Sequence, residues 1–295
     1  MAELAEFEKQ RSRLWGIAYR ITGSVADAED AVQESWLRWE SLPDGEAEDP
    51  RAYLTTVVSR ICYDQLGSAR ARREAYVGPW LPEPVVTVAA EGPEDPQDRV
   101  TLDESVGVAL LTVLERLTPA ERTAFILHDV FAVPFPEIAD VVGRTSDSVR
   151  QLASRARRRV RAEAPRRSVD RDEHRRTVDA FLTAVMGGDF EGLLEVLDPE
   201  VVWRSDGGGM VVAARLPVLG DEKVARFVQR LTRDFDPQTM RALVRDVNGA
   251  PGVVFVDSAN ARAGVFAFTV HDGRITEISA VVNPNKLQHL DLESL

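Results

Sequence analysis

The 295-residue chain holds one cysteine, Cys62, so it carries no internal disulfide framework and no zinc site built from cysteines of a single chain. A reducing compartment fits that count. Long hydrophobic runs are missing as well: no stretch approaches the ~18 apolar residues of a membrane span. The N-terminal MAELAEFEKQR places acids where a signal peptide needs positive charge and an apolar run, and a cytoplasmic protein is expected. Lysine is scarce, with Lys9, Lys223 and Lys286 the only three among 36 basic residues. Base is scarce relative to acid too: 48 Asp and Glu give a formal charge of -12, which taken alone argues against nucleic acid as a partner. What is plentiful is core material. Hydrophobic residues make up 44%, enough for real cores, and the length points to two or three domains.

The total charge hides a division. Residues 77–104 are net -6 and residues 177–295 net -6, whereas residues 144–176 are net +7. Residues 1–76 read as a helical bundle, with Leu14, Ile17, Ala18 and Ile21 forming one apolar stripe and Leu54, Val57, Val58 and Ile61 another. Between them Asp27–Trp39 begins with acids and ends with two tryptophans three apart, and Pro50 suits a first helical turn after the acidic loop 40–49. Residues 77–104 read as a linker. Its Trp80-Leu81-Pro82-Glu83-Pro84 stretch cannot continue a helix and lacks strand alternation, yet it holds large apolar groups in a proline frame, as a docking segment does.

A second helical block covers residues 105–165. Val106, Ala109, Leu110, Val113, Leu114 and Leu117 keep helical spacing, and Thr118-Pro-Ala-Glu121 reads as N-cap, proline at N1 and glutamate at N3. Two short helices meet at Gly143, with Ile138, Ala139 and Val142 facing Val149 and Leu152 in a helix-turn-helix. From Arg150 to Arg161 there are six arginines and no acid. Such a helix can present Ser146, Ser148, Arg150, Gln151, Ser154 and Arg155 to a major groove while Arg157, Arg158 and later arginines meet phosphates. A solvated basic helix in an ordinary bundle is the bland alternative; the two-helix pattern favours DNA.

With these residues in view, the chain resembles the bacterial extracytoplasmic-function sigma factors. By that resemblance Asp27, Glu29, Asp30, Gln33, Glu34 and Trp36 lie on the helix that docks on the clamp of the largest subunit of core RNA polymerase. Pro50–Asp64 resembles the promoter-melting helix that reads the minus-ten element. Arg51, Tyr53, Arg60 and Asp64, with the loop 40–49, would handle unstacked bases, and Arg70, Arg72 and Arg73 the backbone. The helix-turn-helix would read the minus-thirty-five element. Opening a duplex needs stacking surfaces or base pockets beside basic side chains, and the first block has both. Two DNA-binding blocks on a linker also gain effective concentration on one promoter when polymerase fixes their distance.

After a basic linker at 166–176, residues 177–295 change class. A helical opening (Val178, Phe181, Leu182, Val185) and a helix at 221–234 precede β-rich runs at 242–248, 252–256, 263–270 and 274–282, the last two joined by the hairpin signal His271-Asp272-Gly273. This third unit resembles the SnoaL-like branch of the NTF2-like cone fold. The fold class implied is therefore multidomain: two all-α domains, sigma region 2 and sigma region 4, then an α+β cone. Sigma factors with this extension share three motifs, present here as Trp80–Pro84, Asp206-Gly207-Gly208-Gly209 and Asn283-Pro284-Asn285-Lys286-Leu287. Met210 and Asn285 stand where that group usually has Lys and Asp.

Three successive glycines point to a close backbone approach or a conformational switch. The expectation is that Asp206–Gly209 and Asn283–Leu287 contact the Trp80 linker and regulate the two DNA-binding blocks in cis. Two other readings are a helix-turn-helix regulator acting without polymerase, and a small-molecule-binding or enzymatic cone domain. Trp203, Asp206, Asp257, Arg262 and His271 would be the candidates in that last reading, but no pair has a spacing that specifies acid–base chemistry. No catalytic site, cofactor or metal is expected. An unknown small ligand in the cone domain is carried as an open partner. His128 reads as a structural histidine.

Overall fold

The computed structural model describes residues 2–43, 45–74, 76–87, 107–163, 170–233, 236–260 and 262–292, with side chains for these apart from 2–3, 68–74 and 163. Most of the expected acidic linker (88–104) and part of the basic one (164–169) lie outside the described residues. The chain divides into two compact units. The first takes the described residues of Met1–Ala75 and Leu110–Ala164, the second those of Tyr76–Pro93, Glu104–Ala109 and Pro165–Leu295.

In the first unit α1 (Ala2–Thr22), α2 (Val25–Glu40) and α3 (Pro50–Glu74) form a bundle whose core is the two expected stripes: Leu14, Ile17, Ala18, Ile21, Leu54, Val57, Val58 and Ile61 are all buried. Ser24 caps α2 by accepting from the Asp27 amide, and the Asp49 carboxylate accepts the Arg51 and Ala52 amides at the start of α3. The second helical block follows with α4 (Val108–Leu114), α5 (Pro119–Phe125), a π turn (Ile126–Val130), α6 (Phe135–Val142) and α7 (Ser146–Glu163). Thr118 and Glu121 form a reciprocal capping box at α5, and Gly143 ends α6 in the left-handed region at φ 64°.

The two helical blocks, read from sequence as separate domains, are packed within this one unit from Leu110 onward. The buried Arg122 guanidinium donates to the Arg20 carbonyl at 3.2 and 3.0 Å and pairs with Glu115. Arg13 donates to Thr55 Oγ1 at 2.8 Å and to the Phe131 carbonyl, and Arg13 and Arg20 both lie over the Phe131 ring. Buried cations anchored on backbone carbonyls and an aromatic face give an α-helical contact that hydrophobic periodicity does not encode.

The second unit is a seven-stranded sheet ordered β1-β4-β5-β6-β7-β2-β3, with β1 Val86–Thr87, β2 Leu197–Asp206, β3 Val218–Leu219, β4 Met240–Val247, β5 Ala250–Asp257, β6 Arg262–His271 and β7 Arg274–Val281. It is antiparallel except for the β2–β7 pair. Helices α8 (Arg171–Gly187), α9 (Phe190–Val196) and α10 (Asp221–Leu231) cover one face through Val178, Phe181, Leu193, Val224 and Val228 against Trp203, Val253, Phe268 and Ile278. The other face carries a second cluster, in which Val247, Val254, Val256, Val265 and Val281 meet Leu81 and Leu287. Because β5 is buried on both faces, Val253–Val256 is an unbroken apolar run rather than an alternating one.

One expectation is overturned by the sheet. The Trp80 segment was read as lacking strand character, yet Val86 and Thr87 pair with Val247 and Asp246, because a free sheet edge imposes strand geometry on whatever chain lies along it. Leu197–Asp206, whose strand character the sequence analysis does not identify, forms β2 between β7 and β3.

Candidate functional site

In the helix-turn-helix, Val149, Leu152, Ala153 and Ala156 bury one side of α7, and the opposite side exposes Asp147, Arg150, Gln151, Ser154, Arg155 and Arg158. Ser146 and Ser148 are half-buried. Arg150 pairs with Asp147 and lies 5.4 Å from the Phe135 ring centroid. Arg155 and Arg159 each reach Glu121 at 3.3 Å, and Arg157 pairs with Asp129. His128 stacks on Phe135 at 3.9 Å with Nδ1 3.1 Å from the Val133 carbonyl, held in the fold as a structural side chain.

On α3, Arg51, Arg60 and Asp64 are exposed and Tyr53 is half-buried, 5.9 Å from the Trp39 ring. Arg60 donates to the Asp140 carbonyl at the end of α6 at 3.3 and 2.9 Å, so in this arrangement its guanidinium is engaged by the second helical block. The side chains of Arg70, Arg72 and Arg73 lie outside the described residues. On α2, Glu29, Asp30, Gln33 and Glu34 are exposed and Asp27 is half-buried, which forms one acidic face that also shows Leu37 at 57% exposure. Trp36 is half-buried edge-on to Phe7 at 5.0 Å, whereas Trp39 is core.

The three short motifs of the second unit come together around one buried carboxylate. Asp206, at the C-terminal end of β2, is fully buried. Its Oδ2 accepts from the Leu81 amide at 2.8 Å and from Lys286 Nζ at 2.8 Å, and its Oδ1 accepts from the Tyr76 hydroxyl and the Gly208 amide. Lys286 also donates to the Leu81 carbonyl and lies 3.7 Å from the Trp80 ring centroid. Leu81 is thus gripped through both of its backbone groups while its side chain fills the second apolar cluster. A buried ion pair survives only when its remaining hydrogen-bonding capacity is used, and the linker backbone uses it. Burial and the Asp206 carboxylate push the Tyr76 phenol well above its usual range, so it stays a hydroxyl donor.

Asn283 Nδ2 donates to the Tyr76 hydroxyl at 2.8 Å, and its Oδ1 caps the short 3-10 turn Pro284–Lys286. Gly208, at φ 60°, has no room for a Cβ: one would stand 2.3 Å from Asn283 Nδ2. Gly207 is closed by Ala213 and Val211, and a Cβ on Gly209 would press on Val77. Met210 and Asn285, the two departures from the motif pattern, are exposed and make no contact with the Asp206 carboxylate. Pro82 and Pro84 are buried, Glu83 is half-buried and Pro284 is exposed.

Three contacts were not anticipated from sequence. Tyr76 is one. Asn248 is another: at φ 52° beside Gly249 it makes the β4–β5 turn, and it exchanges both backbone-type bonds with Val85, its amide donating at 2.8 Å and its Oδ1 accepting at 3.1 Å. His289 Nε2 lies 2.9 Å from the Pro84 carbonyl. The Asn-Gly pair was the available signal. The residues weighed for an enzymatic cone are dispersed. Trp203 is core, edge-on to Phe227 and Phe266; Asp206 holds the linker; Asp257 binds Asn260 at an exposed turn; Arg262 pairs in register with Asp257; His271 is in the β6–β7 turn beside Asp272. No described helix is long and apolar enough to cross a membrane.

Comparison with known proteins agrees with this layout. Residues 7–72 match Sigma-70 region 2, residues 107–160 match Sigma-70 region 4, and residues 178–278 match the SnoaL-like domain. The ECF RNA polymerase sigma factor SigJ of Mycobacterium tuberculosis is 45% identical over 292 residues, covering 96% of this chain and 93% of SigJ. The probable ECF RNA polymerase sigma factor SigI of the same species is 37% identical over 294 residues, covering 98% of this chain and 96% of SigI. The crystal structure of M. tuberculosis SigJ superposes with a TM-score of 0.77 at 40% identity, covering 97% of this chain and 98% of that one. The helical units and the cone-bearing C-terminal part therefore belong to a chain of the extracytoplasmic-function RNA polymerase sigma factors, which direct promoter-specific transcription initiation.

Proposed function

We propose that this sigma factor docks on the largest-subunit clamp of core RNA polymerase through the acidic face of α2, reads the minus-ten element with α3 and the minus-thirty-five element with α7, and is regulated in cis by its cone domain. The α2 face supports the first part: Glu29, Asp30, Gln33 and Glu34 are exposed along the two turns that lead to an exposed Leu37, polar and acidic groups beside an apolar knob. Exposed Gln151, Ser154, Arg155 and Arg158 on α7 have the donors for base edges and phosphates.

The regulatory part rests on one observation. Asp206 and Lys286 hold the amide and the carbonyl of Leu81, so the cone domain grips the segment that leads from the first helical block to the second. A grip on backbone atoms restricts the path of that segment whatever side chains surround it. Transcription with purified core enzyme on a promoter template tests this, comparing the full chain with Trp80→Ala and with a chain ending before residue 170. Both changes should shift promoter-dependent output in the same direction. Equal output from all three proteins would end the regulatory reading and leave the sigma-factor assignment intact.

A further inference from the structure

The recognition helix carries its arginines in two different electrostatic states. Arg155, Arg157 and Arg159 are each paired to a carboxylate from the preceding helical segment, whereas Arg158, on the exposed side of the same turn, has no partner among the described residues. Glu121 cannot turn away from its pair. It is buried, and its Oε2 already accepts from the Thr118 amide at 3.1 Å and the Thr118 hydroxyl at 2.9 Å. Burial opposes its ionisation, but the Thr118 hydrogen bonds and the Arg159 and Arg155 charges outweigh it and hold the carboxyl below the ordinary glutamate range. Asp129 sits in the π turn, where the wider ring adds one residue relative to an α-helix and so resets which side chains face α7.

The pairing atoms matter. Arg155 and Arg157 use Nε and Arg159 uses Nη1, so each guanidinium, with five N–H donors, keeps others unspent. The acids cancel charge without consuming the donors. Non-specific DNA binding depends on net charge and released counterions, whereas a specific complex also depends on directed hydrogen bonds.

We propose that Glu121 and Asp129 are specificity-determining residues, internal counter-charges that suppress non-specific DNA binding by the minus-thirty-five-reading helix while leaving its arginine donors available to the promoter.

The test uses holoenzyme assembled from core polymerase and the full chain, titrated on a promoter fragment and on a scrambled fragment over a salt series. Asp129→Asn keeps the size of the side chain and removes its charge. It should raise affinity for the scrambled fragment about three- to tenfold at low salt and steepen the log K against log salt slope by about 0.9, the value for one further phosphate. The promoter-to-scrambled ratio should fall. Arg158→Gln should flatten that slope more than Arg157→Gln does, since Arg157 is already neutralised. Arg157 and Arg158 need no refolded partner to be compared, so the pair reports even if Asp129→Asn unfolds. Scrambled-fragment affinity that falls or stays level in Asp129→Asn would overturn the proposal, as would equal slopes for the two arginine variants.

Discussion

Lys286 donates to the Asp206 carboxylate at 2.8 Å while its ammonium lies 3.7 Å from the Trp80 ring centroid, so a single buried cation is shared between an anion from β2 and an aromatic from the linker. The three residues come from the three short motifs at 80–84, 206–209 and 283–287.

Lys286→Met should destabilise the second unit by about 3 kcal/mol, because it leaves the fully buried Asp206 carboxylate without its counter-charge. Adding Asp206→Asn should recover much of the loss. Urea denaturation followed by tryptophan fluorescence measures both, and a double variant less stable than Lys286→Met alone would show that Asp206 acts chiefly through the Leu81 amide and the Tyr76 hydroxyl.

Gly208→Ala meets two penalties, a left-handed φ of 60° and a Cβ 2.3 Å from Asn283. A cost above the ~1 kcal/mol of backbone strain alone is expected. Gly45→Ala is the comparison, since Gly45 has φ 82° and nothing within 4 Å of its Cβ. Thermal unfolding of the two variants should separate steric closure from strain; equal costs would mean that Asn283 moves aside freely.

His174 on α8 is lowered by burial to about 4, and its Nε2 has no hydrogen-bond partner among the described residues. The unfolded chain binds a proton near 6.5 that the folded state refuses until about 4, so stability contributed by the neutral ring is full above 6.5 and is lost as pH falls through that window. The loss should approach ~1.4 kcal/mol per pH unit within it. Denaturation at pH 7, 6 and 5 should show a steeper decline for the natural chain than for His174→Gln. Parallel declines would place the acid sensitivity elsewhere.

Phe131→Ala removes the ring that lies 5.3 Å from the Arg13 guanidinium and 5.4 Å from that of Arg20. Burial lowers Arg13 to about 10, so it stays charged at neutral pH and its cation–π contact persists. The loss should be about 2 kcal/mol, with faster amide exchange in the π turn and in α1. Faster exchange confined to the turn would show that the contact does not hold the two helical blocks together.

Much of the first unit is legible in sequence because its determinants are local. The stripes of α1 and α3, the Thr118 cap and the turn at Gly143 each need fewer than ten residues of context, and each is present in the structure. The Asp49 cap is equally local, with Asp-Pro before a helix as its usual signature. Most contacts that join distant segments depend on tertiary context. Val86–Thr87 is a strand only because the edge of β4 is there to pair with. Arg60 was assigned to DNA from its position in a motif, and nothing in that motif encodes the carbonyl it meets 80 residues later. At the linker site, the resemblance grouped the three motifs, but the pairing of Asp206 with Lys286 depends on β2 lying parallel to β7, so that both chain ends emerge side by side.

The acceptor that Arg60 uses is the main-chain carbonyl of residue 140, a group every amino acid supplies. Any residue at 140 that keeps α6 helical therefore preserves this bond. A change at residue 60, or a proline that bends α6, severs the bond, whereas exchange of the 140 side chain within an intact helix does not.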